Sequence, residues 1–326
     1  AVKIDRTRKV VYTEKGEKVD YDRLIIATGS SPFVPPVEGA DLKGVISFRD
    51  IYDVNTMIKY CETKKNAVVI GGGLLGLEAA CGLKQRGMNV TVLHLMDRIM
   101  ERQLDGRASR MLRQSIEQKG INIITEANTE ALIGKKGHVS QVRLKDDTVL
   151  DADLVVFAVG IRPNIALAQS AGLRCNRGVL VNDTMQTFDP SIYAVGECIE
   201  HRNQTFGLVE PLWGQAFVCA THLAEHGSLT FKSPTVPTQL KVSGVDVFSA
   251  GNIEPKEDYE DIILNDEKRQ IYKRIIIQKD KVIGAVLFGD TEDGMWYAEL
   301  IADQTPIVSF RNKLLFGKDF AMKKAG

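Results

Sequence analysis

The stretch that decides the fold is Val68–Ala80, which reads VVIGGGLLGLEAA. It carries a G-x-G-x-x-G motif directly after a short apolar run and at the start of a segment typical of a helix. In that context the motif predicts the phosphate-binding turn of a strand–turn–helix unit that holds a dinucleotide. We expect Gly71 to permit the tight turn, Gly73 to let the pyrophosphate approach the backbone, and Gly76 to let the helix pack closely on the strand.

The residues that follow this turn bear on which dinucleotide binds. We expect the free N–H groups at Leu74 and Leu75 to hold the phosphates. A carboxylate for the ribose 2′-hydroxyl is expected about 20 residues beyond the turn, at the end of the next strand. His94 stands there instead, 18 residues after the last glycine of the motif. Arg98 and Arg102 are either ligands for a 2′-phosphate or ordinary surface charges, so NADH and NADPH both stay open.

Apolar runs and helical segments alternate on both sides of the turn. The runs typical of buried strands are 67–70, 90–93, 121–125 and 154–159, and the predicted helices are 50–63, 74–86 and 108–119. Strand and helix in alternation predict a parallel α/β sheet. After residue 235 the pattern changes to alternating strands with one helix near 293–304, which predicts a small α+β part.

The chain contains one internal echo. LIIATGSSP at Leu24–Pro32 resembles VVFAVGIRP at Val155–Pro163, and we interpret the two as equivalent strands of two domains built on one plan. The glycine turn at Gly71 precedes Ala158 of the second echo by 87 residues. The equivalent turn of the first domain would lie ahead of Ala1, so we expect the first segment of that domain to be missing. The alternative is that strand–Gly–Pro boundaries simply recur in α/β proteins.

One strand end carries residues suited to a second cofactor. The predicted strand over 192–195 ends in Gly196-Glu197. A carboxylate at a strand end can bind sugar hydroxyls, and glycine lets a ligand approach the backbone. This position, beside the glycine turn and the two similar strands, predicts a second cofactor site. The apolar run 24–27 ends in Thr28-Gly29-Ser30. The proline-rich stretch 31–39 is predicted to be a linker without helix or strand.

Composition excludes several classes of function. Lys plus Arg and Asp plus Glu number 42 each in 326 residues, so the formal net charge is zero and a nucleic-acid-binding protein is not expected. No apolar run reaches the roughly 18 residues that a membrane span needs. The five cysteines are widely spaced without a C-x-x-C pair, which is typical of reduced thiols in a cytoplasmic protein.

No metal site is expected. His222–His226 matches H-x-x-E-H, a pattern found in some zinc enzymes. It falls at the end of a predicted apolar helix, where histidines also suit the helix dipole. Cys198 and His201 supply only two potential ligands.

The chain resembles the flavoprotein reductases of the pyridine nucleotide-disulfide oxidoreductase family, which bind FAD in one Rossmann-like domain and NAD(P)H in an inserted one. The motifs that carry the resemblance, in the family's order, are Asp22–Gly29, Gly71–Ala80, Ala158–Asn164 and Ile192–Glu197. Position 197 is usually Asp in the family. The resemblance implies an α/β fold with two Rossmann-like dinucleotide-binding domains, the FAD one incomplete, and a small C-terminal α+β domain. The implied ranges are 1–43 and 158–234 for FAD, 44–157 for NAD(P)H and 235–326 for the C-terminal domain.

Within this family the chain is most similar to the FAD/NAD(P)H region of nitrite reductase large subunits, through segments 94–96, 100–105, 207–213 and 240–249. The resemblance implies hydride transfer from NAD(P)H to FAD, then electron transfer to an iron–sulfur or sirohaem domain or a small redox protein. It also implies a cytoplasmic location and a possible homodimer through 235–326. No four-cysteine cluster is present, so the chain by itself is not expected to reduce nitrite. The alternatives are an NAD(P)H:rubredoxin or ferredoxin reductase, and a nicotinamide-binding module without flavin.

The resemblance implies cofactor-binding residues but no catalytic side chain, since hydride passes directly between the cofactors. It places Glu78 near the nicotinamide and Gly160 and Ile161 along the approach to it. It places residues 211–213 just ahead of a helix over 214–223, whose N-terminus would stabilise reduced, anionic flavin. The expected cofactor contacts are Thr28, Gly29, Ser30, Gly71, Gly73, Leu74, Leu75, Gly76, Glu78, His94, Arg98, Gly160, Ile161, Gly196, Glu197, Pro211, Leu212 and Trp213.

Overall fold

The computed structural model describes residues 1–225, 227, 229–233, 237–242, 244–256 and 258–322. In chain order the strands are β1 (Lys3–Asp5), β2 (Val10–Tyr12), β3 (Lys18–Asp20), β4 (Leu24–Ile26), β5 (Ser30–Pro32), β6 (Val45–Ser47), β7 (Asn66–Ile70), β8 (Asn89–Leu93), β9 (Ile121–Ile124), β10 (Thr129–Lys135), β11 (His138–Leu144), β12 (Val149–Asp151), β13 (Leu154–Phe157), β14 (Ile161–Pro163), β15 (Val179–Leu180), β16 (Ile192–Ala194), β17 (Ile199–His201), β18 (Gln204–Thr205), β19 (Thr238–Val242), β20 (Val245–Gly251), β21 (Glu260–Asp266), β22 (Ile271–Gln278) and β23 (Lys281–Phe288). The helices are α1 (Ile51–Thr63), α2 (Leu74–Gln85), α3 (Gly106–Glu117), α4 (Ala166–Ser170), α5 (Val209–Leu223), α6 (Gly294–Ala302) and α7 (Lys318–Met322), with a 3-10 helix at Arg311–Phe316.

The chain divides into two compact units. The first unit comprises Ala1–Pro32 and Gly160–Pro234, and the second unit comprises Phe33–Val159 and Thr235–Gly326. Residues 33–43 belong with the second unit because Glu38 and Lys43 form β-bridges to β10 and β11. The predicted boundary after residue 43 therefore lies later than the boundary between the units. The finer division into cofactor domains stays a prediction.

A five-stranded parallel sheet in the order β6-β13-β7-β8-β9 lies at the centre of the second unit. Every neighbouring pair runs parallel, which confirms the predicted α/β fold. The central strands are apolar throughout because both faces are covered, and Val69 and Val156 are fully buried. Helices α2 and α3 pack on one face, and β10 and β11 pack on the other.

The C-terminal part of the second unit is an antiparallel sheet in the order β19-β20-β23-β22-β21. One of its faces shares a core with α2 and α3 through Tyr272, Val286 and Phe288. The other face packs on α6, where Phe248 and Tyr297 are fully buried. The predicted α+β part is confirmed.

The first unit contains several small sheets around a separate core. They are the antiparallel sheet β1-β2-β3, the parallel pair β4–β16, the antiparallel pair β5–β14 and the sheet β15-β17-β18. The predicted strand at 24–27 forms as β4, but the expectation that it is buried is only partly right. Ile26 is 3% exposed and Ile25 is 47% exposed. Successive side chains of a strand face opposite sides, and among the described residues the side of Ile25 has little cover.

The predicted linker is wrong at its start. Ser30–Pro32 form β5, which pairs antiparallel with β14 so that Pro32 lies opposite Ile161. A proline at a strand end of a two-stranded ribbon is tolerated because its missing N–H removes no ladder bond there. The last three residues of each echo segment, Ser30–Pro32 and Ile161–Pro163, are therefore paired within the first unit. No helix of the described residues has both the length and the apolar character to cross a membrane.

Candidate dinucleotide-binding sites

The glycine turn joins β7 to α2, and its three motif glycines have three different surroundings. Gly71 has φ +124°, and a Cβ there would lie 2.2 Å from the carbonyl oxygen of Ala158. A Cβ on Gly76 would lie 1.9 Å from the carbonyl oxygen of Gly71. Among the described residues, no heavy atom lies within 4 Å of the Cβ position of Gly73. Two glycines are therefore required by packing, while the third leaves open space for a ligand.

The start of α2 suits an anion. Gly73 is its N-cap and supplies no side-chain bond, and the first turn contains no acidic residue. Leu75 in that turn is 42% exposed. Unpaired N–H groups and the positive end of the helix dipole attract phosphate. The cradle therefore fits the pyrophosphate of a dinucleotide.

Glu78 lies one turn further along α2. Within the part of the chain that the structure describes, its carboxyl forms no hydrogen bond or ion pair. Burial raises the pKa of this carboxyl above its usual value, because desolvation disfavours the charged form. Glu78 is thus available to a ligand polar group near the turn.

His94 follows β8 and is buried. Its Nδ1 accepts the N–H of Gly72 at 3.0 Å, and its Nε2 lies 3.1 Å from a carboxylate oxygen of Glu101. Because the backbone N–H can only donate, Nδ1 is the acceptor and Nε2 carries the proton in the neutral ring. Both ring nitrogens have protein partners, so His94 braces the glycine turn. Its predicted contact with a cofactor does not use a free ring nitrogen.

The two arginines proposed for a 2′-phosphate differ in their surroundings. Arg98 pairs with Glu254 and, at 3.7 Å, with Asp97. Arg102 is 85% exposed, and its Nε lies 3.9 Å from a carboxylate oxygen of Glu101. Arg98 is therefore already balanced by carboxylates, while Arg102 extends into solvent.

The polar strand end at Thr28-Gly29 lies in the first unit and is fixed by Asn164. The hydroxyl of Thr28 donates to the carbonyl oxygen of Asn164 at 2.6 Å, and Asn164 Nδ2 donates to the carbonyl of Thr28 at 2.9 Å. The N–H of Asn164 donates to the carbonyl of Gly29 at 2.9 Å. Gly29 has φ +65° with open space around its Cβ position, so a ligand can approach the backbone there.

Ser30 and Glu197, two of the predicted cofactor contacts, are neighbours in the structure. The Ser30 hydroxyl donates to a Glu197 carboxylate oxygen at 2.7 Å. Gly196 has φ +92° and open space at its Cβ position, and its N–H donates to Oε1 of Gln215 at 2.8 Å. Gln215 is fully buried, and its Nε2 has no partner among the described residues. An unpaired donor beside an open glycine fits the oxygen-rich sugar chain of FAD.

Helix α5 starts earlier than predicted. It begins at Val209, so Pro211, Leu212 and Trp213 lie inside its first two turns and not ahead of them. Proline is tolerated in a first turn because its missing N–H has no intrahelical partner there. Pro211 is buried and Trp213 is 73% exposed. The helix has no side-chain N-cap bond, so its N–H groups stay open to an anion at Val209 instead of Gly214.

The structure distributes the predicted contacts over the two units. Residues 71–78, His94 and Arg98 lie in the second unit, and the strand ends at 28–30 and 196–197, with residues 160–161 and 211–213, lie in the first. The assignment of these residues to cofactors stays a prediction.

Sequence reasoning gave no role to Gln215 or Glu101. A buried amide in the otherwise apolar run 211–220 is the signal that would have found Gln215. No pattern of spacing marks Glu101, because its partner depends on the path of the chain after β8.

The patterns set aside for metals also have other partners. No three His, Cys, Asp or Glu side chains in the described ranges are grouped to hold a metal ion. Nδ1 of His222 lies 2.9 Å from the hydroxyl of Tyr193, and His226 lies outside the described residues. The five cysteines are free thiols.

Comparison with known proteins places these features in a family. A family model described as pyridine nucleotide-disulphide oxidoreductase matches residues 1–216, and one described as rubredoxin NAD+ reductase C-terminal domain matches residues 237–305. The chain is 48% identical over 306 residues to an NAD(P)H nitrite reductase of Bacillus subtilis (strain 168), covering 94% of this chain and 38% of that protein. It is 41% identical over 314 residues to an assimilatory nitrate reductase electron transfer subunit of the same organism, covering 96% of this chain and 41% of that protein.

The fold has close solved counterparts. The structure of an NAD-dependent persulfide reductase from A. fulgidus matches with a TM-score of 0.87 and 29% identity, over 96% of this chain and 63% of that one. The two Bacillus relatives are much longer than the matched region, and the chain spans about two fifths of their length.

Proposed function

Because the chain belongs to the pyridine nucleotide-disulphide oxidoreductase family, we propose that it is the FAD-dependent NAD(P)H oxidoreductase module of a nitrite reductase-like enzyme. In this role it takes hydride from NAD(P)H, and electrons pass through FAD to an iron–sulfur or sirohaem acceptor. The observation that carries the proposal is the glycine turn, which combines an open Gly73 with an uncapped helix start. The names of the two Bacillus relatives, an NAD(P)H nitrite reductase and an assimilatory nitrate reductase electron transfer subunit, support a role in electron transfer from NAD(P)H.

Residues of the second unit bind and orient the nicotinamide dinucleotide in this proposal. The N–H groups at Leu74 and Leu75 hold the pyrophosphate, which approaches over Gly73. The unpaired carboxyl of Glu78, with its raised pKa, accepts or donates a hydrogen bond at the carboxamide end. Hydride transfer between nicotinamide and flavin is the chemistry that the bound cofactors supply.

Residues of the first unit hold the flavin dinucleotide in this proposal. Glu197, oriented by Ser30, accepts hydrogen bonds from sugar hydroxyls. The Nε2 group of Gln215, which has no partner among the described residues, donates to another oxygen of the sugar chain of FAD. The uncapped start of α5 lowers the free energy of negative charge on reduced flavin. No side chain would be required as acid or base, since direct hydride transfer is chemistry that the bound cofactors would supply.

The visible absorption spectrum tests the proposal. The full chain is purified, incubated with FAD, separated from free flavin and scanned before and after NADH is added without oxygen. A flavin band that bleaches supports the proposal. Colourless protein that still binds NADH contradicts it and supports the alternative of a nicotinamide-binding module without flavin. Protein that binds neither cofactor contradicts both.

A rubredoxin or ferredoxin reductase is the second candidate, favoured by the match of residues 237–305 to a rubredoxin reductase C-terminal domain. The two candidates differ in their acceptor. Reduced protein is mixed with rubredoxin, with ferredoxin, or with the iron–sulfur and sirohaem portion of a nitrite reductase. The fastest reoxidation identifies the acceptor class.

Assembly and location complete the proposal. We infer a homodimer formed through the C-terminal part of the second unit and a cytoplasmic location, consistent with five free thiols. Gel filtration at micromolar concentration that shows only a 36.0 kDa species would contradict the dimer.

A further inference from the structure

The segment after β8 is bonded to the glycine turn at two points. The N–H of Gly72 donates to His94 Nδ1, and the N–H of Met100 donates to the carbonyl oxygen of Gly72, each at 3.0 Å. A Cβ on Gly72 would lie 2.8 Å from Cγ of His94, so the imidazole lies directly against the turn. Glu101 follows Met100 and is therefore fixed beside the turn by its backbone.

The side chain of Glu101 is held in the same way. One carboxylate oxygen lies 3.1 Å from Nε2 of His94, and the side chain keeps 25% of its surface exposed. The proton on Nε2 points to that oxygen, because Nδ1 is occupied as an acceptor. Among the described residues, the partner of the other oxygen is the exposed Arg102, at 3.9 Å. Glu101 thus presents an oriented acceptor oxygen beside the glycine turn, where a carboxylate is expected but His94 occupies the chain position.

The charges around Glu101 disfavour a phosphate. Asp97 and Glu254 both pair with Arg98, so three carboxylates face two arginines in this cluster. The adjoining residues Leu95 and Met96 are 62% and 48% exposed and offer an apolar surface. A hydroxyl can donate to Glu101, whereas the doubly charged 2′-phosphate would be repelled.

We propose that Glu101, oriented by His94, accepts hydrogen bonds from the adenosine ribose hydroxyls of NADH and excludes the 2′-phosphate of NADPH. This assignment rests on the proposed function, because it needs a nicotinamide dinucleotide at the glycine turn. It makes the chain selective for NADH and makes His94 a positioning residue for the selecting carboxylate.

The test is direct binding of NADH and NADPH to the full chain, measured by calorimetry, for the natural sequence and for Glu101→Gln. The natural chain is expected to bind NADH at least about tenfold more tightly than NADPH. In the variant the ratio is expected to fall to within about threefold, because a neutral amide no longer repels the phosphate. The amide oxygen still accepts from His94, so the turn keeps its brace.

Controls separate recognition from folding. Glu117→Gln removes a carboxylate of α3 that also pairs with an arginine, at 2.8 Å, and is expected to leave the ratio unchanged. ADP-ribose and its 2′-phosphate repeat the comparison without nicotinamide. If Glu101→Gln weakens both dinucleotides equally, or leaves the ratio as it was, the assignment is wrong. Natural protein that prefers NADPH also overturns it. Natural protein that binds neither dinucleotide overturns the proposed function together with the assignment.

Discussion

At the scale of single residues, we expect two glycines of the turn to serve different purposes. Gly73 leaves space for the ligand, and Gly76 lets helix α2 pack against the turn. Gly73→Ala adds a methyl group into open space, at φ −84°, which alanine adopts without strain. We expect its thermal stability to stay unchanged and its NADH affinity to fall by about tenfold or more, or ~1.4 kcal/mol. The measurement is calorimetric titration together with thermal unfolding of the ligand-free protein.

The matched variant is Gly76→Ala. Its Cβ would lie 1.9 Å from the carbonyl oxygen of Gly71, so helix and turn must move apart. Such overpacking costs about 1–3 kcal/mol, and we expect a lower unfolding midpoint without ligand. Equal loss of stability in the two variants would show that Gly73 is also required by packing.

A second residue-scale prediction concerns acid stability. Hydrogen bonds from Arg202 and His201 lower the pKa of Asp183 from its usual 3.8 to about 2. The folded state therefore binds this proton less readily than the unfolded state does. The contribution is complete above about pH 4 and is lost as the pH falls through about 2.

Arg202→Ala tests the sign of this effect. Arg202 is 73% exposed, so the loss of stability at pH 7 is expected to be small, because solvent screens an exposed ion pair. The pKa of Asp183 should rise in the variant, and acid unfolding should begin at a higher pH than in the natural chain. Urea unfolding at pH 7, 4 and 3 measures this. A variant whose acid transition coincides with that of the natural chain would contradict the assignment.

At the scale of elements, helix α3 is joined to the C-terminal sheet through Asp105. One oxygen of Asp105 caps α3 by accepting the N–H groups of Arg107 and Ala108, at 3.1 and 2.9 Å. The other accepts the hydroxyl of Tyr272 at 2.7 Å and lies 3.4 Å from Arg274. Burial, and then Asp105 itself, raise the pKa of Tyr272, so the hydroxyl stays a donor.

We expect Asp105→Ala to cost about 3–5 kcal/mol, because it removes a cap and leaves buried donors without an acceptor. Tyr272→Phe should cost about 1.5–3 kcal/mol, since a single hydrogen bond to a charged group is lost. Asp50→Ala removes the exposed cap of α1 and should cost about 1 kcal/mol. Urea unfolding measures all three. Asp105→Ala no worse than Asp50→Ala would mean that the joint contributes nothing beyond the cap.

The elements also show what the sequence could predict. The parallel sheet and its helices were predictable because short apolar runs alternate along 66–157 with segments typical of helices. β5 was missed because its proline pattern is typical of a loop, and only its partner strand, about 130 residues away, makes it extended. The helix predicted over 214–223 begins earlier in the structure, at Val209, because proline is compatible with a first helical turn and Pro211 lies in it.

The candidate sites likewise contain one part that the sequence predicts and other parts that it does not. The glycine turn was predictable because its backbone geometry demands glycine within six consecutive positions. The bonds of His94 to Gly72 and Glu101 were not, because they depend on how the chain folds back after β8. Gln215 and Gly196 meet only through the packing of α5 on the end of β16.

At the scale of the whole molecule, the two compact units should respond to different ligands. We expect saturating NADH, at about 100 times its Kd, to stabilise the second unit by about 2.7 kcal/mol. We expect FAD to act on the first unit. Hydrogen exchange with and without each ligand measures this, because protection can be assigned to peptides of each unit.

Peptides from 66–93 report on the second unit, and peptides from 192–223 report on the first. Added NADH that protects only the first unit would contradict the placement of the dinucleotide at the glycine turn. Inorganic pyrophosphate serves as a control for simple anion binding, and it should protect the turn less than NADH does.

The paired strands β5 and β14 have a consequence for how such a protein can be rebuilt. Directly opposite residues of antiparallel strands are about 5 Å apart, and Pro32 and Ile161 are such a pair. The segment between them, residues 33–160, therefore begins and ends at two neighbouring residues and could be exchanged as one unit. A segment of the same length with another coenzyme preference could replace it at these two positions. It would have to bring its own C-terminal sheet, since Tyr272 is matched to Asp105. In our proposal the second unit determines coenzyme preference, so its two segments, Phe33–Val159 and Thr235–Gly326, would have to be exchanged together.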